Sequence, residues 1–330
     1  MNKKNNSIDE DRKYFAEKVI ELCEFSTREM IIKFADVFED FGCPSCSSDQ
    51  RHLKFKHWGL DYQRCEICRL VYVSPCPNAD ARSWYLNNSK GLKYWRENLP
   101  ATSSKSRLPI YLNRFNFIKK VSEDFLKIDK KILLEVGAGN GELAEILVQN
   151  NMFEEIILVE PQPLDISLPS CRVIQEEISN VNLTKLADVV IAFEVLEHIN
   201  DPKKFLHDLG NTIAKGGLLI MSTPNIDSLE IACLGGLSDL IMFDHVRLYS
   251  PKSIKYLLNQ EGWDLELIET PGLLDIERIK NNFHTNLIDL ATDPALRFIC
   301  DADDAIMNQF QSFIQDQLLS SHMQFVARKR

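Results

Sequence analysis

Residues 133–147 read LLEVGAGNGELAEIL: an apolar run ending in Glu135, three glycines at alternate positions, and then helical spacing. Strand, glycine turn and helix in that order is the layout by which backbone N–H groups and a helix N-terminus meet a polar ligand, because glycine lets the chain approach closely. The dinucleotide form of this turn, G-x-G-x-x-G, needs glycine at 142, where the chain has Glu142. It would also turn Glu135 toward a pyrophosphate, and like charges repel. A ligand carrying an ammonium group and a nucleoside makes Glu135 an asset, and Gly137, Gly139 and Gly141 leave room for an amino-acid portion.

The following segments extend this pattern. ILVEP puts Glu160 at the end of the next strand, 23 residues past Gly137, where an acid accepts from both ribose hydroxyls. Glu176, after CRVIQ, is placed to accept from an adenine amino group, with Glu177 an equally available neighbour. KILLEV, ELAEILVQN, EIILVE, CRVIQ, ADVVIAF, a helix at about 202–214 and GLLIMS alternate strand with helix. Alternation of this kind gives an α/β, doubly wound Rossmann-like sheet with parallel strands and helices on both faces. SPKSIKYLLNQEGW adds a helix, DLELIET a strand and HMQFVARK a last strand, with a mostly helical insert at about 275–320. The Rossmann-like domain is therefore expected over 131–330. Ahead of it stand a helical N-terminal segment (1–41), a compact unit (42–77) and a helical bridge or cap (78–130). Within the first of these, Ser26 and Glu29 are spaced as a capping box that would open a second helix.

The chain has 330 residues, 45% of them hydrophobic, and a formal net charge of -10. That charge repels polyanions and sets nucleic acid aside as a favoured partner. No run of 18 apolar residues occurs, and MNKKNNSIDEDRK lacks the apolar core of a signal peptide, so no membrane contact and a cytoplasmic location are expected. Of nine cysteines, four form two C-x-x-C pairs, Cys43 with Cys46 and Cys65 with Cys68, separated by 18 residues. This spacing fits a closed four-thiolate Zn2+ site of ribbon type, whose metal is structural and supplies folding free energy to a segment too short for its own core. The alternative is reduced thiols that only pack, as Cys23, Cys76, Cys171, Cys233 and Cys300 are expected to do.

LLEVGAGNGELAEIL, ILVEP, ADVVIAFEVLEHINDP and GGLLIMSTPN together resemble the class I S-adenosylmethionine-dependent methyltransferases over roughly 131–270 and the last strand. The resemblance implies S-adenosyl-L-methionine as cofactor. By it, Glu135, Gly137, Ala138, Gly139 and Gly141 hold the methionine moiety, Glu160 the ribose and Glu176 the adenine, while Phe193 lines the adenine pocket and Glu194 borders the cofactor. FEVLEHINDP (193–202) follows the strand beside the topological switch point, and FDHVRLYSP (243–251) brings His245 toward the same mouth. In one account His198 or His245 is the general base that takes the acceptor's proton. In another, implied by similarity to ubiquinone-pathway O-methyltransferases and small-RNA 2′-O-methyltransferases, Glu194, Glu197, His198 and His245 hold Mg2+ against a diol-like acceptor. In a third, Glu194 and His198 only shape a helix start and the cofactor pocket.

A zinc ribbon ahead of such a core is similar to bacterial enzymes of deoxysugar and surface-polysaccharide pathways, including nucleotide-sugar C-methyltransferases. Those enzymes carry a long further domain after the core, whereas this sequence continues only into the 275–320 insert and one strand. The resemblance implies methyl transfer to a small polar acceptor, a nucleotide sugar, a glycan or another biosynthetic intermediate, with O-transfer ahead of C-transfer. The rival is a zinc-ribbon adaptor or cofactor-binding protein without catalysis, followed by a nucleic-acid methyltransferase. Trp84, Tyr85, Tyr94 and Trp95 either stack on a sugar or anchor a helix. The N-terminal helical segment is either a packing element or a homodimer contact.

Overall fold

A computed structural model describes residues 3–126, 131–284 and 294–330. The chain opens with α1 (Lys3–Phe34), one continuous helix. The expected break at Ser26 does not occur: its hydroxyl donates to Leu22 O at 2.8 Å, one turn back, and accepts from Lys90 N–H at 3.0 Å. Ser26 therefore satisfies an orphan donor of a different helix, an arrangement that local spacing does not reveal.

Three antiparallel strands follow, β1 (Arg51–His57), β2 (Leu60–Cys65) and β3 (Val71–Val73). Two helices come next, α2 (Ala79–Asn88) and α3 (Lys90–Phe125), the latter continuing through Pro100 and Pro109. Proline disfavours a helix interior, but the second half of α3 buries Phe117, Ile118 and Val121, and tertiary packing outweighs local propensity there. Three of the four aromatic residues singled out in this region pack ring against ring, whereas Trp95 is 38% exposed. Tyr85 lies 4.1 Å from Phe243, Trp84 5.9 Å from Phe34, and Tyr94 5.7 Å from Phe15 between ring centroids.

From here the expected alternation appears: β4 (Ile132–Val136), α4 (Glu142–Gln149), β5 (Glu155–Val159), β6 (Cys171–Ile174), β7 (Ala187–Phe193), α5 (Pro202–Thr212) and β8 (Ile213–Pro224). After α6 (Leu229–Leu234) and a two-residue strand β9 (Arg247–Leu248) come α7 (Pro251–Gln260) and β10 (Trp263–Glu269). The insert holds α8 (Asp275–His284), α9 (Pro294–Asp301) and α10 (Asp304–Asp316), its residues 285–293 lying outside the described ones, and β11 (His322–Lys329) ends the fold. The main sheet has the order β10-β11-β8-β7-β4-β5-β6, with β11 antiparallel to its neighbours and the central strands parallel.

Side chains alternate across this sheet. Leu134, Val136 and Val190 pack with Phe205 of α5, Leu257 of α7 and the cysteine pairs on one face. Leu133, Val189, Ile191 and Phe193 pack with α3 and α4 on the other. Each fully buried aliphatic side chain contributes about 1.5–3 kcal/mol, so both faces are held strongly. β9 does not join the main sheet: it pairs with β3, Val71 opposite Leu248 and Tyr72 opposite Arg247, and makes the small sheet four-stranded. No described helix is long and apolar enough to cross a membrane.

Candidate active site

At the carboxyl ends of the central strands lies a cavity of about 320 Å3, lined by Val136, Gly137, Gly139, Glu160, Glu176, Glu177, Glu194, His198 and Phe205 among others. Gly139 has φ +58°, and a Cβ built there would meet nothing within 4 Å, so its backbone faces open space. At Gly137 a Cβ would come within 2.6 Å of Val195 Cγ2, so that glycine serves close packing of the β4 and β7 exits. The Glu160 carboxylate accepts from Gly139 N–H at 3.3 Å and from Gln162 N–H at 3.1 Å. Glu176 is exposed on the same rim and accepts from Asn180 Nδ2 at 3.2 Å.

Glu135 lies on the other face of β4, 6% exposed, and its Oε2 has no hydrogen-bond partner. Burial pushes this carboxyl up to about 8, although the Arg114 guanidinium of α3 pulls it the other way. Arg114 stacks over Phe193 at 5.0 Å and sits 3.8 Å from Glu194 Oε1. Phe193 is thus packed on the α3 side and does not line the cavity. Ala138 is buried on that same side, and Gly141, at φ +79°, packs against Ile166.

The E-x-x-E-H stretch splits its two carboxylates. Glu194 has φ +56°, a left-handed conformation rare for such a residue, held by its N–H bond to Ser222 O at 3.1 Å and a 2.6 Å bond from Ser222 Oγ. Its Oε2 faces His322 Nε2 at 3.7 Å. Burial works to raise the Glu194 carboxyl, but His322, Arg114, Ser222 and His245 together bring it below the usual range. Glu197, in a single 3-10 turn, is fully buried; Thr223 Oγ1 donates to its Oε2 at 3.0 Å and Oε1 has no partner. Burial first, and then the nearby Glu194, push Glu197 well up.

His198 and His245 meet ring to ring, 4.9 Å between centroids at 70°. His198 Nδ1 lies 3.1 Å from Asp244 O, and His245 Nδ1 2.8 Å from Leu240 O. A carbonyl oxygen only accepts, so both Nδ1 atoms carry a proton, and in the neutral form of either ring the lone pair lies on Nε2. Burial holds the His198 ring below its ordinary value, against the pull of the Asp244 carboxylate. Glu197, His198 and His245 each offer a ligand atom within 4.8 Å of the others. Among the described residues Glu194 is not part of that group, so the four-residue cation set expected from sequence is brought together as three.

The four paired cysteines also converge. Cys43 Sγ is 3.4 Å from Cys68 Sγ, Cys46 Sγ is 3.4 Å from Cys65 Sγ, and all four lie within 4.8 Å of one another. The two knuckles repeat one backbone device: Ser47 and Arg69, each four residues after a first cysteine, have φ +60° and +68°. Four sulfur ligands in so small a volume fit the chemistry of tetrahedral zinc.

Several residues escaped sequence reasoning. Arg114, Ser222 and His322 surround Glu194; Asp244 Oδ2 lies 3.7 Å from His198 Nδ1; Arg82 of α2 donates to His198 O at 2.8 Å. They come from α3, β8, β11, a loop and α2, and no local motif marks them.

A family model described as "Methyltransferase domain" matches residues 111–268. The ubiquinone biosynthesis O-methyltransferase of Rickettsia typhi is 30% identical over 179 residues, 48% of this chain and 69% of that protein. Its counterpart in Rickettsia felis is 27% identical over 176 residues, covering 48% and 69%. A probable S-adenosylmethionine-dependent methyltransferase of Mycobacterium tuberculosis is 29% identical over 99 residues, 28% of this chain and 35% of that one. Among solved structures, the plantazolicin methyltransferase BpumL in complex with SAH is 12% identical with a TM-score of 0.48, covering 75% of this chain and 94% of that one. With the switch-point cavity and glycine turn in place, the family-model match and the 30%-identical relative mean that the chain belongs to the class I S-adenosylmethionine-dependent methyltransferases.

Proposed function

We propose that this methyltransferase acts on the oxygen of a small polar acceptor, a sugar or other biosynthetic intermediate with neighbouring hydroxyls. The carrying observation is the pair of imidazoles whose Nε2 lone pairs are set free by their Nδ1–carbonyl bonds, beside a buried carboxylate and continuous with the donor cavity. His198 or His245 takes the acceptor proton as the oxygen attacks, and a neutral imidazole suits that task.

The site fits the donor. Glu135 Oε2, buried without a partner, is the kind of group that an ammonium completes, and the open space at Gly139 leaves room for a ligand backbone. Glu160 accepts from the ribose hydroxyls, Glu176 from the adenine amino group, and Arg114 pairs with the amino-acid carboxylate. S-adenosylmethionine supplies the electrophilic methyl group; the protein's task is to orient it and the acceptor in line. Glu197, His198 and His245 would hold Mg2+ if the enzyme uses one, and the cation would supply positive charge to a diol's oxygens. The cysteine cluster would hold Zn2+ and supply folding free energy to residues 42–77.

The test is methyl transfer from isotopically labelled donor to two probes, a nucleotide hexose and a catechol carboxylate, with and without Mg2+. A labelled methyl ether is the expected product, lost in His198→Asn with SAH affinity retained. A new carbon–carbon bond, or tight SAH binding with no transfer to either probe, removes the O-transfer reading.

A further inference from the structure

Arg247 is 1% exposed, yet among the described residues its guanidinium hydrogen-bonds only to uncharged groups. Nη1 donates to Val246 O at 2.8 Å and lies 3.9 Å from Cys76 Sγ, Nη2 donates to Asn200 O at 3.4 Å, and the Phe41 ring is 5.4 Å away. Nε has no partner. A buried cation without a carboxylate is costly, and a β-branched residue would fill a strand position more cheaply. What the arginine adds is geometry. Asn200 stands two residues after His198, and Val246 directly follows His245, so one planar side chain ties the exits of both histidine-bearing segments.

The tie rests on the cysteine-bearing sheet. Arg247 sits opposite Tyr72 of β3, Val73 N–H donates to Val246 O at 3.2 Å, and Lys203 Nζ reaches Ser47 Oγ of the first knuckle at 3.1 Å. Arg82 holds the same loop from α2 through His198 O and the Asn200 side chain. The donor-side groups, Gly139 and Glu160, stand on β4 and β5 exits that are not part of this frame.

We infer that Arg247 is a positioning residue that registers His198 against His245, and that the cysteine-bearing unit bears on methyl transfer through it. This rests on reading the two histidines as the acceptor-side machinery. The full chain is tested as Arg247→Met and Arg247→Lys, with SAH affinity, metal content and the ring 15N spectra of the histidines, assigned with His198→Asn and His245→Asn.

In the parent protein both rings give the Nδ1–H tautomer. Arg247→Met moves or averages the His198 and His245 ring signals, keeps SAH affinity within about twofold and keeps the metal; Arg247→Lys, still able to donate to a carbonyl, restores most of the parent spectrum. An unchanged ring spectrum in Arg247→Met overturns the inference. So does joint loss of metal and SAH binding in both variants, which marks a general structural role. The spectra are read without acceptor, so retained turnover in His198→Asn would sink the proposed chemistry while leaving this result to stand or fall separately.

Discussion

Glu135→Gln separates stability from donor binding through pH. Burial lifts the Glu135 carboxyl from 4.5 to about 8 in the free protein, so the fold favours the protonated form. The contribution of that form to stability is complete below 4.5 and is lost as pH rises toward 8. At about 1.4 kcal/mol per pH unit, the interval corresponds to roughly 5 kcal/mol across the window. An ammonium-bearing donor requires the opposite state, the carboxylate. Its affinity should therefore climb about tenfold per pH unit from 6 toward 8 and then level off. Glutamine cannot ionise. The variant should bind SAH with little pH dependence, match the parent near pH 6, and be about 10–100-fold weaker above pH 8, the loss of one charge-assisted bond. Its unliganded melting temperature above pH 8 should exceed that of the parent. Calorimetric titration with SAH and thermal melts at five pH values read both effects. Parallel affinity profiles for parent and variant would refute the assignment of Glu135 to the ammonium end.

Other perturbations probe the remaining groups. Gly139→Ala adds a methyl to open space at φ +58°, so stability should fall by only about 1–2 kcal/mol while SAH affinity falls more; a large stability loss with unchanged affinity would make the turn structural. Glu160→Ala should weaken SAH by about 5–150-fold, since the ribose hydroxyls lose their carboxylate acceptor, and an unchanged titration would take Glu160 out of the pocket. Elemental analysis should find one zinc per chain, absent in a Cys43→Ser/Cys68→Ser variant whose β1–β3 amides exchange rapidly; full protection of those amides without metal would show that the thiols merely pack.

The parts of the molecule that were legible in sequence are those whose signal is local. Alternate glycines after an apolar strand, acids at successive strand ends and two C-x-x-C knuckles are all written within a few residues. The strand and helix alternation from 132 onward followed from periodicity alone. What was missed depends on distant segments. β9 has two residues and no periodicity, and it becomes a strand only because β3 lies alongside. The single helix α1 survives at Ser26 because Lys90, 64 positions away, uses its hydroxyl. Glu194 and Glu197 look like neighbours on one turn, but the left-handed φ of Glu194 ends the strand abruptly and sends the carboxylates apart, one to Ser222 and one to Thr223. Arg114 and Arg82 belong to helices whose docking no short pattern encodes.

The composite small sheet has a consequence for biosynthesis. β3 leaves the ribosome long before β9 exists, and at common elongation rates its outer edge waits on the order of ten seconds for Arg247 and Leu248. If the knuckles take up a metal, its capture can precede that moment, since all four thiols are already present. Docking of the unit onto the nascent Rossmann-like half cannot, so a nascent chain stalled before residue 247 should carry the β1–β3 unit with one bare strand, a target for chaperones or for unwanted pairing.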